Sequence, residues 1–149
     1  MDPLPTRKNI VKKAVKILRY VPYKDSMKIR PIKAIIADDD NVTRHLLRTL
    51  LRQHDVEVVG EACNGKEALQ KCAAEIPDIL FLDINMQEMD GFETLQHARH
   101  AIPGLAIVMI SSDSTVGNVQ KAHVHGADGF IVKPFSAARV MEAVTRCCQ

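Results

Sequence analysis

Short apolar runs alternate with amphipathic stretches along the chain from residue 32 onward. The runs predict strands over residues 32–37, 57–62, 79–82, 106–110 and 129–132. Most of them are apolar throughout, as expected for strands that are covered on both faces. Alternation of such strands with helical stretches is typical of repeated βα units and a parallel sheet. The pattern therefore predicts an α/β fold built on five parallel strands.

Capping residues mark the ends of the helices between these strands. Asn64 and Glu67 have the spacing of a capping box that opens a helix over residues 65–75. Ser136 is placed to cap the last helix, and Gly126 to end a helix that begins near residue 114.

The first 30 residues follow a different pattern. On a helical wheel, residues 10–21 separate into one apolar arc and one largely basic arc. The apolar arc contains Ile10, Val11, Ala14, Val15, Ile17, Leu18 and Val21, and the other contains Lys12, Lys13, Lys16, Arg19 and Tyr20. Pro22 ends the predicted helix, and residues 23–31 are predicted to be a linker. We therefore predict a leader over 1–30 and a domain over 31–149, and expect the short helix to need a surface to fold against.

Charge follows the same division. Residues 1–33 contain ten Lys and Arg against Asp2 and Asp25, and the remaining residues contain ten against sixteen Asp and Glu, for a net charge of +2.

No apolar run is long enough for a transmembrane span. The four cysteines lack CxxC or zinc spacing and no secretory signal is visible, so we expect reduced thiols and a cytoplasmic protein.

Acidic residues follow two of the predicted strands directly. Asp38, Asp39 and Asp40 come after the first strand, and Asp83 comes after the third. The helix dipole could account for one or two acids at such a junction. It does not account for carboxylates from two strands in one crevice, which repel by roughly 4 kcal/mol at about 4 Å and an effective dielectric near 20. A hard cation such as Mg²⁺ would remove this conflict.

Further motifs follow at defined points of the chain. They are the acid pair Asp38-Asp39, Asp83 within Leu82-Asp83-Ile84-Asn85-Met86, then Asp90-Gly91, Ser111, and Lys133-Pro134-Phe135. In this order and spacing they resemble a response-regulator receiver domain, over about residues 32–149. The resemblance implies a flavodoxin-like, doubly wound sheet with strand order 2-1-3-4-5, in which the first and third strands are neighbours.

The resemblance also implies the chemistry of the site. Asp83 would be the phosphoacceptor, receiving a phosphoryl group from a sensor histidine kinase or a histidine phosphotransfer protein. Mg²⁺ would be bound by Asp39, Asp83 and the backbone carbonyl of Asn85, with Asp38 acting through a bound water.

Three further roles are implied for residues near the carboxyl ends of the fourth and fifth strands. Lys133 would pair with Asp83 before the reaction and with a phosphoryl oxygen after it, aimed by a cis Lys133-Pro134 bond. Ser111 would hydrogen-bond another phosphoryl oxygen. Ser111 and Phe130 would form the switch that changes the surface of the last two βα units.

The chain departs from the family pattern at two positions. Gln87 stands where proline is common, which predicts a more flexible loop, and Ser112 stands where a smaller residue is common, which narrows access to the site. Asn85 and Asp113 occupy the positions that tune hydrolysis, and this polar and acidic pair predicts a short-lived phosphoaspartate. Asp40 has no counterpart among the site residues and is interpreted as an acid at the start of the next helix.

Three biological interpretations remain open. The first is a stand-alone receiver that signals to a separate protein target, has no DNA-binding output domain, and catalyses only its own phosphorylation and dephosphorylation. The second is a non-catalytic interaction module that residues 7–21 anchor to a membrane, a partner protein or nucleic acid, which would place it peripherally at a membrane. The third is that translation begins at Met27.

Overall fold

The computed structural model describes residues 20–23 and 26–148, with side chains from residue 30 onward. The strands are β1 (Tyr20–Tyr23), β2 (Ser26–Ile29), β3 (Lys33–Ala37), β4 (Glu57–Ala62), β5 (Ile79–Asp83), β6 (Ala106–Ser111) and β7 (Gly129–Val132). The helices are α1 (Asn41–Gln53), α2 (Gly65–Glu75), α3 (Gly91–Ala101), α4 (Val116–Val124) and α5 (Ala137–Cys148).

Five parallel strands form the main sheet in the order β4-β3-β5-β6-β7. Counted from β3, this is the order 2-1-3-4-5, so the predicted fold class is confirmed. β3 and β5 are hydrogen-bonded neighbours, with Ala37 opposite Leu82. The carboxyl ends of the two strands that precede the acidic residues therefore lie side by side, as the sequence predicts.

Apolar side chains cover both faces of this sheet. On one face, Ile36, Phe81 and Val108 pack with α1 and α5, and on the other, Ile35, Leu80 and Ile107 pack with α2 and α3. Because successive strand residues point to opposite faces, the continuous apolar runs supply both layers at once. This packing holds the strand ends in fixed relative positions.

Caps form where the sequence predicts them, with one difference. Asn64 accepts a hydrogen bond from the backbone N–H of Glu67 at 2.8 Å. The Glu67 carboxylate, however, accepts from the backbone N–H of Cys63 at 3.3 Å, one residue before the cap. Ser136 caps α5 by accepting from the N–H of Arg139 at 3.2 Å. Gly126 follows the end of α4 with φ of 98°, a conformation that favours glycine.

Arg99 connects the segments that precede β6 and β7, at the edge of the sheet opposite the acidic residues. Its guanidinium donates to the carbonyls of Leu105 at 2.7 Å and Gly126 at 3.0 Å. It also pairs with Asp128 at 2.7 Å. This one side chain therefore satisfies backbone carbonyls in the loops that lead from α3 into β6 and from α4 into β7.

The residues before the main sheet form a two-stranded antiparallel sheet, in which Tyr20 lies opposite Ile29. This differs from the sequence prediction, which places Tyr20 and Val21 in a helix and residues 26–29 in a linker. Tyrosine and valine favour strands, and pairing with β2 satisfies their backbone groups. Residues 10–19 of the predicted helix lie outside the described residues, and the domain boundary at residue 31 stays a prediction. Among the described residues, no helix is long and apolar enough to span a membrane.

Gly91 provides a test of how tightly the loop after β5 is held. A Cβ added at Gly91 would lie 2.3 Å from the carbonyl oxygen of Asp83 and 2.6 Å from the Cα of Ile84. We expect Gly91→Ala to lower the free energy of unfolding by about 2–3 kcal/mol, because backbone must shift to accept the methyl group. Urea denaturation measures this loss.

Gly117→Ala is the matched control, since a Cβ there meets nothing within 4 Å. This substitution, which lies in α4, should stabilise the protein slightly, by up to about 1 kcal/mol from helix propensity. Equal effects of the two substitutions would contradict the steric explanation.

Candidate functional site

Three carboxylates meet where β3 and β5 end. Oxygen atoms of Asp38, Asp39 and Asp83 all lie within 4.8 Å of one another. Asp38 and Asp83 are only 1% and 4% exposed, whereas Asp39 faces solvent. At this spacing and an effective dielectric near 20, each charged pair repels by about 3–4 kcal/mol. The fold therefore concentrates negative charge in a crevice that is largely buried.

Lys133 is the cation in this crevice. Its ammonium lies 2.8 Å from Oδ2 of Asp38 and 3.5 Å from Oδ1 of Asp83. The backbone N–H of Lys133 donates to the carbonyl of Ser111 at 2.8 Å. The bond from Lys133 to Pro134 is cis, as predicted. Lys133 therefore pairs with Asp83, as the resemblance implies, but lies closer to Asp38.

Burial and neighbouring charge change the pKa values of two of these groups. Burial, followed by the charge of Asp38, raises the pKa of Asp83 to about 6, although Lys133 and a hydrogen bond from the backbone N–H of Asn85 oppose this rise. Burial lowers the pKa of Lys133, but the hydrogen bond to Asp38 and the charge of Asp83 outweigh it, so the pKa is raised overall. Lys133 thus stays charged at neutral pH.

Asp38 is held in place by contacts that the sequence analysis did not include. Its Oδ1 accepts from the backbone N–H of Asp40 at 2.9 Å. Its carbonyl accepts from the guanidinium of Arg44 at 2.5 Å, and Arg44 also pairs with Glu61 at 3.7 Å. Arg44 lies in the first turn of α1, but the spacing alone does not show whether its side chain points back toward β3. The N–H of Asp40 thus orients the Asp38 carboxylate, and Arg44 holds the backbone of Asp38.

Asp40 does not join the acidic crevice. It is the N-cap of α1, and its carboxylate accepts from the backbone N–H of Val42 at 3.2 Å and from the hydroxyl of Thr43 at 2.6 Å. These hydrogen bonds lower the pKa of Asp40. Its interpretation as an acid at the start of the following helix is confirmed.

Ser111 ends β6, the strand next to β5. Its side chain is fully buried, and its Oγ accepts from the backbone N–H of Asp113 at 3.0 Å. Ile110, the residue before it, lies opposite Asp83 in the sheet. Phe130 lies on β7 and is half-buried against the core between the sheet and α3. The strand order therefore places Ser111 on the strand adjacent to Asp83.

The donor set of the crevice suits a hard divalent cation. Mg²⁺ prefers oxygen ligands, usually one or two carboxylates together with waters. Asp38, Asp39 and Asp83 offer carboxylate oxygens from two strand ends, and no histidine or cysteine belongs to this cluster. The side chain of Asn85 is exposed beside it, and its predicted role as a carbonyl ligand stays a prediction.

Comparison with known proteins identifies the family to which the chain belongs. Residues 34–145 match the response regulator receiver domain family. The chain belongs to the response-regulator receiver family. Such receiver domains are signalling proteins of two-component systems rather than classical enzymes, and they bind Mg²⁺ at an acidic pocket. The resemblance inferred from the motifs is thereby confirmed.

Several chemotaxis proteins are among the relatives of this receiver domain. It is 41% identical over 118 residues to the chemotaxis protein CheY of Listeria monocytogenes, covering 79% of this chain and 99% of that protein. It is 36% identical to CheY of Thermotoga maritima, covering 76% and 95% of the two chains. The similarity therefore extends over nearly the full length of these relatives.

Solved structures agree in fold. CheY4 of Vibrio cholerae superposes with a TM-score of 0.74 at 28% identity, covering 78% of this chain and 98% of that chain. A CheX–CheY complex with BeF₃ and Mg²⁺ from Borrelia burgdorferi gives a TM-score of 0.75 at 30% identity, covering 77% and 87%. The main sheet and its five helices correspond to this shared receiver fold.

A small cavity opens beside the crevice of this receiver domain. It has a volume of about 300 Å³ and is lined by Thr43, Leu46, Ser112, Lys133, Pro134 and Phe135. Val42 and Leu46 are 74% and 48% exposed on the adjoining surface of α1. The crevice therefore has an apolar border, a feature the sequence analysis did not identify because it is built from residues far apart in the chain.

The raised pKa of Asp83 predicts an unusual dependence of stability on pH. Because its folded-state pKa of about 6 exceeds the ordinary carboxyl pKa of 3.8, ionised Asp83 destabilises the folded state, and this cost develops as pH rises from 4 through 6. Without divalent cations, Asp83→Asn should therefore raise the free energy of unfolding at pH 7.5, by roughly 1–3 kcal/mol. Urea denaturation at pH 4.5 and 7.5 should show a smaller gain at the lower pH.

Asp40→Asn provides the control for this measurement. Asparagine also caps helices, and the pKa of Asp40 is lowered rather than raised. This variant should therefore show no gain at pH 7.5. A gain in the free energy of unfolding as large as that of Asp83→Asn would contradict the assignment of the destabilisation to ionised Asp83.

Proposed function

We propose that Asp83 accepts a phosphoryl group from a phosphohistidine on a sensor histidine kinase or a histidine phosphotransfer protein. The observation that carries the proposal is the position of Asp83, which ends the central strand β5 in a crevice shared with Asp38, Asp39 and the ammonium of Lys133. In open α/β sheets, ligands bind outside the carboxyl ends of the strands, at the point where strand order reverses. Asp83 lies at this point.

The reaction needs little from the protein besides positioning and charge. One carboxylate oxygen of Asp83 attacks phosphorus, the phosphorus–nitrogen bond of the donor breaks, and its electron pair returns to the imidazole. An ionised carboxylate needs no general base, and phosphoryl transfer relies mainly on stabilising charge on the phosphoryl oxygens. Lys133, 3.5 Å from Asp83, is near enough to exchange its carboxylate partner for a phosphoryl oxygen.

Asp39, Asp83 and the backbone carbonyl of Asn85 would hold Mg²⁺ directly, with Asp38 acting through a water. The ion would neutralise charge on the carboxylates and on the incoming phosphoryl oxygens. The exposure of Asp39 supports its role as the ligand nearest to solvent, whereas Asp38 is already occupied by Lys133 and the N–H of Asp40.

Ser111 and Phe130 would then transmit the change. The Ser111 hydroxyl accepts from the N–H of Asp113 and still has a proton to donate to a phosphoryl oxygen. Movement of that loop would allow half-buried Phe130 to turn inward and change the surface around β7 for a downstream protein target. Asn85 and Asp113 would set the lifetime of the phosphoaspartate from either side of the crevice.

The phosphodonor would dock on the apolar border of the crevice. Exposed Val42 and Leu46 and the neighbouring Phe135 supply that border. Contiguous exposed apolar residues beside a reactive group are typical of protein-binding surfaces. A histidine kinase or phosphotransfer protein as partner, together with membership of the receiver family, supports a cytoplasmic location.

Mg²⁺ should stabilise the protein through the acidic crevice. We expect added Mg²⁺ to raise the melting temperature of the wild-type protein, because the ion relieves repulsion between carboxylates. The rise should be lost in Asp39→Asn and kept in Asp40→Asn, whose carboxylate is engaged in capping α1. Thermal unfolding followed by circular dichroism would test this, and equal behaviour of the two variants would argue against the proposed ligand set.

Phosphodonor labelling tests the phosphoacceptor itself. With a small-molecule phosphodonor and Mg²⁺, the wild-type protein should gain one phosphoryl group by mass spectrometry, and Asp83→Asn should gain none. Asp90→Asn, in the same loop, should label normally, since its side chain caps α3. Labelling of Asp83→Asn at the wild-type level would refute the assignment.

A further inference from the structure

The peptide groups on either side of Asp39 are each held by a hydrogen bond to a side chain. In the group before Asp39, the carbonyl of Asp38 accepts from the guanidinium of Arg44 at 2.5 Å. In the group after it, the N–H of Asp40 donates to Oδ1 of Asp38 at 2.9 Å. Because peptide groups are planar, fixing both groups fixes φ and ψ of Asp39. The direction in which the Asp39 carboxylate leaves the backbone is then fixed as well.

The carboxylate of Asp39 depends on this backbone for its position. It is exposed, and no hydrogen bond or ion pair joins it to another residue of the part of the chain that the structure describes. The carboxylate of Asp38, by contrast, is bonded to the N–H of Asp40 and to the ammonium of Lys133. Of the two acids that follow β3, only Asp39 therefore relies on the peptide groups beside it.

Arg44 is itself held by three acceptors. Besides the carbonyl of Asp38, its guanidinium donates to Oδ1 of Asn41, and its Nε lies 3.7 Å from the carboxylate of Glu61. The side chain leans toward the amino end of α1, as helical side chains do, and is only 16% exposed. A planar guanidinium donates in fixed directions. Three acceptors on α1, β4 and the end of β3 therefore hold it in one orientation.

Neutralisation of Glu61 does not account for this arrangement. Arg48, one turn further along α1, pairs with the same carboxylate at 2.6 Å, more closely than Arg44 does. The guanidinium of Arg48 bonds to Glu61 and to the ring of His45. The contact that distinguishes Arg44 from Arg48 is the hydrogen bond to the carbonyl of Asp38.

We propose that Arg44 is a positioning residue that sets the direction of the Asp39 carboxylate for Mg²⁺. This inference rests on the proposed ligand set, in which Asp39 binds the ion directly. Mg²⁺ requires nearly ideal octahedral geometry, whereas Ca²⁺ accepts irregular arrangements of oxygen ligands. Arg44 therefore favours Mg²⁺ over Ca²⁺ and does not raise the affinity for divalent cations in general.

The charge of Arg44 alone predicts the opposite effect on Mg²⁺. The guanidinium and the ion are both positive, so removal of the guanidinium lowers the electrostatic repulsion of the ion. Without a positioning role, loss of Arg44 would tighten Mg²⁺ binding, whereas loss of positioning weakens it. The sign of the change in affinity thus distinguishes the two roles.

Isothermal titration calorimetry of the full-length protein with Mg²⁺ and with Ca²⁺ tests the proposal. Arg44→Met should bind Mg²⁺ about 10-fold more weakly than wild type, at the lower end of the range typical for partners that orient metal ligands. Its affinity for Ca²⁺ should fall much less. Unchanged or tighter Mg²⁺ binding would overturn the proposal, and so would an equal loss of affinity for the two ions.

Arg48→Met is the matched control. It removes a cation from the same helix and from the same carboxylate of Glu61, but leaves the carbonyl of Asp38 bonded to Arg44. Its affinity for either ion should not fall. A loss of Mg²⁺ affinity as large as that of Arg44→Met would contradict a specific role for Arg44.

Asp39→Asn separates failure of this inference from failure of the proposed ligand set. It should lose most of its Mg²⁺ affinity. If it binds Mg²⁺ as wild type does, the ligand set and the positioning role are both wrong. If it loses Mg²⁺ and Arg44→Met does not, only the positioning role is wrong.

Arg44→Lys replaces Arg44→Met in the test if circular dichroism shows that the methionine variant does not fold. Lysine keeps the charge but offers a single ammonium in place of the planar fork, so it cannot hold the carbonyl of Asp38 in the same way. Its Mg²⁺ affinity should fall, and by more than its Ca²⁺ affinity. Wild-type affinity for Mg²⁺ in this variant would overturn the proposal.

Discussion

Repulsion between carboxylates at the ends of β3 and β5 is the constraint on which the site depends. The sheet forces this proximity, because parallel neighbours end at the same edge and the buried runs before Asp38 and Asp83 fix the register. Lys133 offsets part of the cost, but the raised pKa of Asp83 shows that the cost is not cancelled. Packing of the two apolar layers thus keeps the three carboxylates close together, although their repulsion would separate them in the unfolded chain. The site for a cation or phosphoryl group is therefore formed before the ligand binds.

Much of this arrangement could be predicted from the sequence. The apolar runs locate all five strands to within a residue, and the signal is strongest for β3, β5 and β6, which are buried on both faces. Asp38, Asp39 and Asp83 could be placed in one crevice because they stand at the ends of those strands, whereas Lys133 was expected there from the resemblance to the receiver family. The positions of these residues can be predicted because regular strands fix where the residues at their ends lie.

Other features depend on side-chain direction and on contacts across the chain. The guanidinium of Arg44 turns back to the carbonyl of Asp38, and Lys133 approaches Asp38 more closely than Asp83. Neither choice follows from spacing, because a long side chain can reach several partners. The pairing of Tyr20 with Ile29 was missed for a related reason. The helical pattern of residues 10–21 does not show that Tyr20 and Val21 have a strand partner a few residues later in the chain.

The close approach at Gly91 has a mechanical meaning for signalling. The N–H of Gly91 donates to the carbonyl of Ile84 at 2.8 Å, and its missing side chain lets α3 start against the backbone of Asp83 itself. The backbone that carries the Asp83 carboxylate therefore has little room to move. On the other side, Ser111 ends β6 and Lys133 follows β7, and the backbone N–H of Lys133 donates to the carbonyl of Ser111. Under the proposed function, a phosphoryl group on Asp83 would therefore displace the Ser111 and Lys133 side of the crevice, toward β6 and β7, more readily than the β5 side.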